Sequence, residues 1–399
     1  MLLEWNAHAC RTLRHNKNAG LSPVDSWNIV EGDARAFRFA DIGRPVELVA
    51  GGPPCQPFSL GGKHKCYDDK RDMFPVAVNA VRELRPQGFV FENVKGLLRA
   101  SFTNYLQYIT LQFNHPDIIK SGNELWEDHF SRLERHHRAG HASPAEYRTV
   151  IRLLNAADYG VPQRRERVFI VGFRSDLHTE WNFPTPTHTE GALIWAKWVT
   201  GSYWDEHRIS NKDRPKPTVY DTAQANRVIQ EYGMFGPTDE RWRTVRDAIA
   251  SLPDSLLNHE IRDGARCYPG HTGSDIDEPA KTLKAGDQGV PGGENMVRYA
   301  DDTVRYFSVR ESCRLQTFPD DFYISGSWTE GMRQIGNAVP VKLAEVVGHS
   351  IFKQLDAALN PRRRVCPVRT AIHCRENCVR QNDPAVDGPL LIPADSGYT

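Results

Sequence analysis

The stretch from residue 46 to residue 59 limits the fold more than any other. It reads Val-Glu-Leu-Val-Ala-Gly-Gly-Pro-Pro-Cys-Gln-Pro-Phe-Ser. A short apolar run closed by Gly and Pro is a buried strand, and the paired prolines stiffen the loop that it delivers. Cys55 then stands at the carboxyl edge of a sheet, where open α/β folds bind ligands. A helix start just beyond it lowers a thiol pKa, and the thiolate is the reactive form. A lone cysteine in a turn is otherwise a buried structural residue, so its neighbours must decide.

Those neighbours read as an α/β fold with a parallel sheet, from residue 1 to about 173. Residues 73–85 place Ala77, Ala80, Val81 and Leu84 at helical spacing. Pro86 ends that helix and Gly88–Phe91 is the next strand. Tyr147–Leu154 and Val168–Phe173 are two more, joined by a loop rich in Arg and Gln. Residues 114–146 are polar and His-rich, a surface excursion with a helix over Trp126–Arg138. Residues 174–302 change character, with many Pro, Gly and Trp, and read as a second, irregular and partly β domain. Residues 303–360 return to α/β, with Leu343, Val347, Ile351 and Leu355 on one helix face. The tail 361–399 is basic, then Pro- and Asp-rich, and is expected to be poorly ordered.

Composition excludes little. Fifty basic and fifty acidic residues balance, so any nucleic-acid surface must be a local concentration of Lys and Arg. No apolar run approaches the ~20 residues of a membrane span. The opening residues lack a secretory signal, and eight irregularly spaced cysteines are no disulfide framework. A reducing, cytoplasmic setting is expected, in which Cys55 stays a free thiol. Cys366, His373, Cys374 and Cys378 hold no Cys-x2-Cys pair, so no metal is expected.

Four further motifs follow Cys55 in order: Phe91-Glu92-Asn93-Val94; Tyr159-Gly160-Val161-Pro162-Gln163-Arg164-Arg165-Glu166-Arg167; Arg310-Glu311 through Leu315-Gln316-Thr317-Phe318-Pro319; and Gln334-Ile335-Gly336-Asn337-Ala338-Val339-Pro340. Gln163, Arg165 and Arg167 alternate, so in extended chain they share a face. Together with the cysteine loop, these motifs resemble those of the DNA (cytosine-5) methyltransferases.

That resemblance implies a Rossmann-like S-adenosylmethionine-dependent methyltransferase sheet with a smaller target-recognition domain at 174–302. It implies Cys55 as nucleophile on carbon 6 of a cytosine flipped out of double-stranded DNA, Glu92 at ring nitrogen 3 and Arg165 at the carbonyl side. Gln163 and Arg167 support them. A seat at the end of an apolar strand would raise the Glu92 pKa so that it can donate a proton. The cofactor residues implied are Glu4, Trp5, Asp33, Pro54, Asn337 and Val339. DNA contacts are expected at Lys284, Gly286 and Gly289; a glycine-turned hairpin without DNA contact is the competing reading.

The family's Gly-rich Phe-x-Gly-x-Gly-like motif is not found, and the chain opens at what resembles the second motif, Glu4-Trp5. A start site assigned too far downstream is the expectation, with a truncated, inactive DNA-binding relative as competitor. A tRNA cytosine-5 methyltransferase is a further alternative, although its Cys-Phe-Thr signature is absent. A monomer working beside a cognate restriction endonuclease, in a nucleoid-associated cytoplasmic setting, completes the expectation.

Overall fold

The computed structural model describes residues 1–54, 72–140, 146–253, 255–269, 271–285 and 295–360. Cys55, Gly286, Gly289 and the tail from 361 lie outside them. Strand β1 (Leu2–Glu4) leads into helix α1 (Ala7–Asn18) and parallel strand β2 (Ile29–Glu31). Strand β3 (Leu48–Gly51), helix α2 (Phe74–Leu84) and strand β4 (Gly88–Val94) follow. Helices α3 (Thr103–Asn114) and α4 (Trp126–Ala139) precede strands β5 (Tyr147–Asn155) and β6 (Glu166–Arg174).

The central sheet runs β3-β4-β6-β5. Only β3 and β4 are parallel; β6 is antiparallel to both β4 and β5, so the sheet is mixed rather than the parallel one expected. The link from β5 to β6 spans residues 156–165, shorter than the dozen or more residues a parallel crossover needs. Along β6 the side chains alternate: Val168 and Ile170 face α2 and α3, while Phe169, Val171 and Phe173 pack with Leu343, Val347, Ile351 and Leu355 of helix α11 (Val341–Leu359). Helices thus cover both faces, as α/β layering requires. Among the described residues β1–β2 is a separate two-stranded sheet, and β3 pairs on one side only, leaving Leu48, Ala50 and Gly51 exposed.

The second region is more helical than its sequence suggests. It contains strand β7 (His188–Thr189), helices α5 (Glu190–Ile194), α6 (Ser202–Glu206) and α7 (Val219–Tyr232), strand β8 (Glu240–Arg241) and helix α8 (Val245–Ile249). Helix α7 buries only Ala225 and Val228 and leaves Val219 and Tyr220 exposed, so it carries little apolar periodicity. Its legible signal is the capping box of Thr218 and Asp221. Strands β9 (Ser274–Asp275), β10 (Met296–Arg298) and β11 (Val304–Tyr306) form a small sheet. Helices α9 (Val309–Leu315) and α10 (Trp328–Asn337) then share a core with Val245, Leu283 and Val297.

Candidate active site

Strand β3 ends at Gly51, level with Phe91 of β4. Beyond it the loop crosses the Glu92 side chain: a Cβ on Gly52 would stand 3.2 Å from Glu92 Oε2. Buried Asn93 donates from Nδ2 to the Pro53 carbonyl at 2.9 Å. The Met73 amide donates to the Pro54 carbonyl at 3.3 Å, so the described chain on either side of residues 55–71 comes together there. Tyr105 donates to Asp72 on the returning side. Glycine at 52 supplies the room, and Asn93 the anchor.

Glu92 lies nearly buried, and Arg167 Nε meets its Oε1 at 2.7 Å. The register explains the pair. Glu92 is opposite Phe169 and Val94 opposite Arg167, so Glu92 and Arg167 are diagonal neighbours on one face, within reach of long side chains. Burial holds the Glu92 carboxyl above its ordinary pKa, while Arg167 and then Arg165 pull it back. This is the direction expected from the sequence, reached by the desolvation expected there.

Arg165 and Gln163 are buried and largely engaged with backbone. Arg165 donates from Nη1 to Leu283 O at 3.2 Å, and from Nη2 to Gly336 O at 2.7 Å and Ala338 O at 2.9 Å. Its Nε, also buried, has no partner among the described residues. Burial and Arg167 push its pKa down to about 9, against the pull of Glu92. Gln163 accepts from Leu283 N at 3.0 Å and donates to Leu315 O at 3.3 Å.

Residues 162–164 run beside 280–282, with Ala280 N donating to Pro162 O, Arg164 N to Ala280 O, and Thr282 Oγ1 to Arg164 O. The Thr-Leu stretch is therefore sewn to the arginine motif. Exposed Lys284 is the last but one described residue before the segment holding Gly286 and Gly289. A Cβ on Gly336 would stand 2.5 Å from Ala285 N, so only glycine fits there.

Five of the six expected cofactor residues fall into two groups, and Pro54 stands apart at the stem of the cysteine loop. Glu4, Trp5 and Asp33 lie at the carboxyl ends of β1 and β2, where Gly32 N donates to Glu4 O at 2.9 Å. The Trp5 indole is 73% exposed, a large apolar face open to a ligand. Glu4 Oε1 accepts from Asn6 N at 2.7 Å. Asp33 is clasped by Arg35, which lowers its pKa. Asn337 ends α10, and Val339 packs at the edge of the core under α11. Helix α1 joins the two groups: Thr12 Oγ1 donates to Gln334 Oε1 at 2.7 Å, and Arg333 to Asn6 Oδ1 at 2.8 Å. An acid, an exposed indole and a strand-end carboxylate are a donor set suited to an adenosine group.

The family model for C-5 cytosine-specific DNA methylases matches residues 1–117 and 139–353. The chain belongs to this family. It is 30% identical over 364 residues to the type II methyltransferase M.PspPI of Psychrobacter, covering 90% of this chain and 74% of that protein. It is equally 30% identical, over 362 residues, to M.Eco47II of Escherichia coli, covering 89% and 74%. A solved structure described as a DNA modification methyltransferase from an E. coli prophage superposes with a TM-score of 0.51 at 18% identity, covering 89% of this chain and 92% of that one. This likeness concerns the fold. A C-5 cytosine DNA methylase is an enzyme that methylates cytosine in DNA, and the family's reaction is S-adenosylmethionine-dependent. Among the described residues no helix is long and apolar enough to cross a membrane.

Two residues of this methylase escaped the reading of its sequence. Asn93 stood in the acidic motif with no role of its own assigned, yet its side chain anchors Pro53 at the stem of the cysteine loop. Arg164 pairs with Glu190 and Glu278 and lies 5.1 Å from the Trp242 ring centre, tying the arginine motif to the second region. Its position between Gln163 and Arg165 was the available signal, since alternation turns it to the opposite face. Arg310 and Glu311 serve the fold. Arg310 donates to the Leu257, Pro319 and Phe322 carbonyls, and Glu311 pairs with Arg305 at 2.6 Å.

Proposed function

We propose that the chain methylates carbon 5 of a cytosine flipped out of double-stranded DNA, with Cys55 as covalent nucleophile and Glu92 as the acid at ring nitrogen 3. One observation carries the reading: the stem of the Cys55 loop lies directly against a nearly buried carboxyl group whose pKa is raised by that burial. Extrusion of the base costs a few kcal/mol. The Cys55 thiolate then adds to carbon 6, forming a sulfur–carbon bond as the ring's electron pair shifts toward nitrogen 3. Glu92 gives its proton to that nitrogen, which leaves carbon 5 nucleophilic.

The unpartnered Nε of Arg165 is suited to the carbonyl oxygen, where an inbound acceptor would satisfy a buried donor. Arg167 holds Glu92 in place and keeps its pKa from climbing further. Gln163 fixes the backbone on which Arg165 stands. S-adenosylmethionine, when bound, supplies an electrophilic methyl group, and Glu4, Trp5, Asp33, Pro54, Asn337 and Val339 are the residues that would hold it. On the methylated ring, water takes the carbon 5 proton, the freed electron pair forms the carbon 5–carbon 6 double bond and expels the Cys55 thiolate, and nitrogen 3 returns its proton to the Glu92 carboxylate.

We assign residues 1–173 and 303–360 to catalysis and 174–302 to target recognition, with Lys284, Gly286 and Gly289 toward DNA. The chain acts as a monomer in the cytoplasm, on the nucleoid, and its relatives' description as type II methyltransferases suggests a cognate endonuclease reading the same word. Bisulfite sequencing of DNA and of RNA from cells producing the protein tests this. One short DNA word bearing 5-methylcytosine, lost in Cys55→Ser, is the expected result. Modified RNA beside unmodified DNA would overturn it.

A further inference from the structure

Away from the active site, three side chains converge at the foot of the His-rich excursion. His115 caps the end of α3, His136 lies in the last turn of α4, and Glu146 directly precedes β5. Glu146 Oε1 lies 3.2 Å from His115 Nδ1 and 3.2 Å from His136 Nε2. All three ligand atoms fall within 4.8 Å of one another. We propose that His115 Nδ1, His136 Nε2 and Glu146 Oε1 form a zinc site that staples α4 to the start of β5.

Zinc bonds of about 2.0–2.1 Å in a tetrahedron put neighbouring ligand atoms about 3.3 Å apart. Two of the three edges already have that length. The third closes by rotation of His136, the most exposed of the three side chains at 29%. Two neutral imidazoles and one carboxylate suit a borderline divalent cation, with a fourth position left for water.

The second ring nitrogen of His115 supports the assignment. His115 Nε2 lies 2.9 Å from His137 Nδ1, on the far side of the ring from Glu146. With Nδ1 on the metal, Nε2 carries the hydrogen and donates it to His137, the outer bond that metal-bound histidines usually make. His137 therefore orients the ring and is not itself a ligand. The C-terminal ends of α3 and α4 also meet here, and their partial negative charges favour a cation.

The excursion has reason to need a staple. The family match breaks at residues 118–138, so nearly all of α4 lies outside the matched segments. Among the described residues, its apolar cluster buries Tyr108, Leu111 and Leu133, with Ile118, Trp126 and Phe130 packed against them half-buried. A metal closes the loop between α4 and β5, and its binding energy becomes stability of the folded state.

The test uses the full chain freed of metal with a chelator, titrated with Zn²⁺ by calorimetry and with Co²⁺ by absorption spectroscopy. One equivalent should bind, raising the melting midpoint, with a tetrahedral cobalt spectrum free of thiolate charge-transfer bands. His136→Gln and Glu146→Gln should each lower affinity at least a hundredfold with unchanged circular dichroism. His137→Leu should lower it ten- to a hundredfold. Replacing Cys366, Cys374 and Cys378 together by Ser should leave binding intact. No bound metal, a thiolate spectrum, or binding indifferent to His136→Gln and Glu146→Gln would overturn the proposal and leave a plain hydrogen-bonded cluster.

Discussion

Replacing Arg167 by Met tests the physical setting of Glu92. The pair lies at 2.7 Å, with side chains only 13% and 14% exposed, so solvent screens it weakly. At an effective dielectric of about 20, the Coulomb attraction is on the order of 6 kcal/mol. Desolvation of both groups offsets part of this, and stranding one buried charge typically costs about 3–5 kcal/mol. Glu92 can escape by keeping its proton, because its folded-state pKa already lies above the ordinary value and Arg167 is the chief charge opposing the rise.

For a carboxyl group whose pKa is raised by folding, stability is fully present below the unfolded value of about 4.3 and is lost as pH rises through the folded value. Removing Arg167 moves that folded value further up, so the variant should lose stability over a wider span of pH than the parent. Urea melts at pH 5 and pH 8 measure this. The expected deficit is about 3–5 kcal/mol at pH 8 and clearly smaller at pH 5. In a Glu92→Gln background the same change should cost nothing further, because no carboxylate is left to strand. An equal deficit at both pH values, unchanged by Glu92→Gln, would refute the reasoning.

Gly336→Ala sets a methyl group against the Lys284–Ala285 backbone and should destabilise by about 1–3 kcal/mol, read from urea midpoints. DNA affinity should fall with it, because the segment bearing Lys284 must shift; a neutral midpoint would contradict the close approach. Asn93→Ala removes the bond to the Pro53 carbonyl and should lower stability by about 1 kcal/mol. Its methylation rate should fall at least tenfold, and a rate that fell no more than stability would deny Asn93 its positioning role.

The parts legible in the sequence are those whose partners are near in the chain or whose pattern reports a face. Leu343, Val347, Ile351 and Leu355 recur every fourth residue, and all four are buried. The strand ending at Gly51 and the helix ending before Pro86 are marked by residues that stop regular structure. Strand direction is different, because an apolar run reads alike both ways. Only the short link between β5 and β6 held the clue to their antiparallel pairing.

Within the site, Glu92 was legible as a strand-end acid, but its partner was not. Whether Arg165 or Arg167 meets it depends on the register of β4 against β6, which alternation does not report. The partners of Gln163 and Arg165 lie more than a hundred residues downstream, beyond any local pattern. The histidines around Glu146 failed to stand out for a related reason: a helix and a loop separate them, and no fixed spacing joins them.

The claim on which the enzymatic account rests is covalent attack by Cys55 beside Glu92. Duplex DNA carrying 5-fluorocytosine in the recognised word, incubated with protein and S-adenosylmethionine, cannot lose a carbon 5 proton and should trap the enzyme. A denaturation-resistant protein–DNA adduct, absent with Cys55→Ser and much slower with Glu92→Gln, is the predicted result. Methylated normal DNA without any trapped adduct, or an adduct that survives loss of the Cys55 thiol, would contradict it.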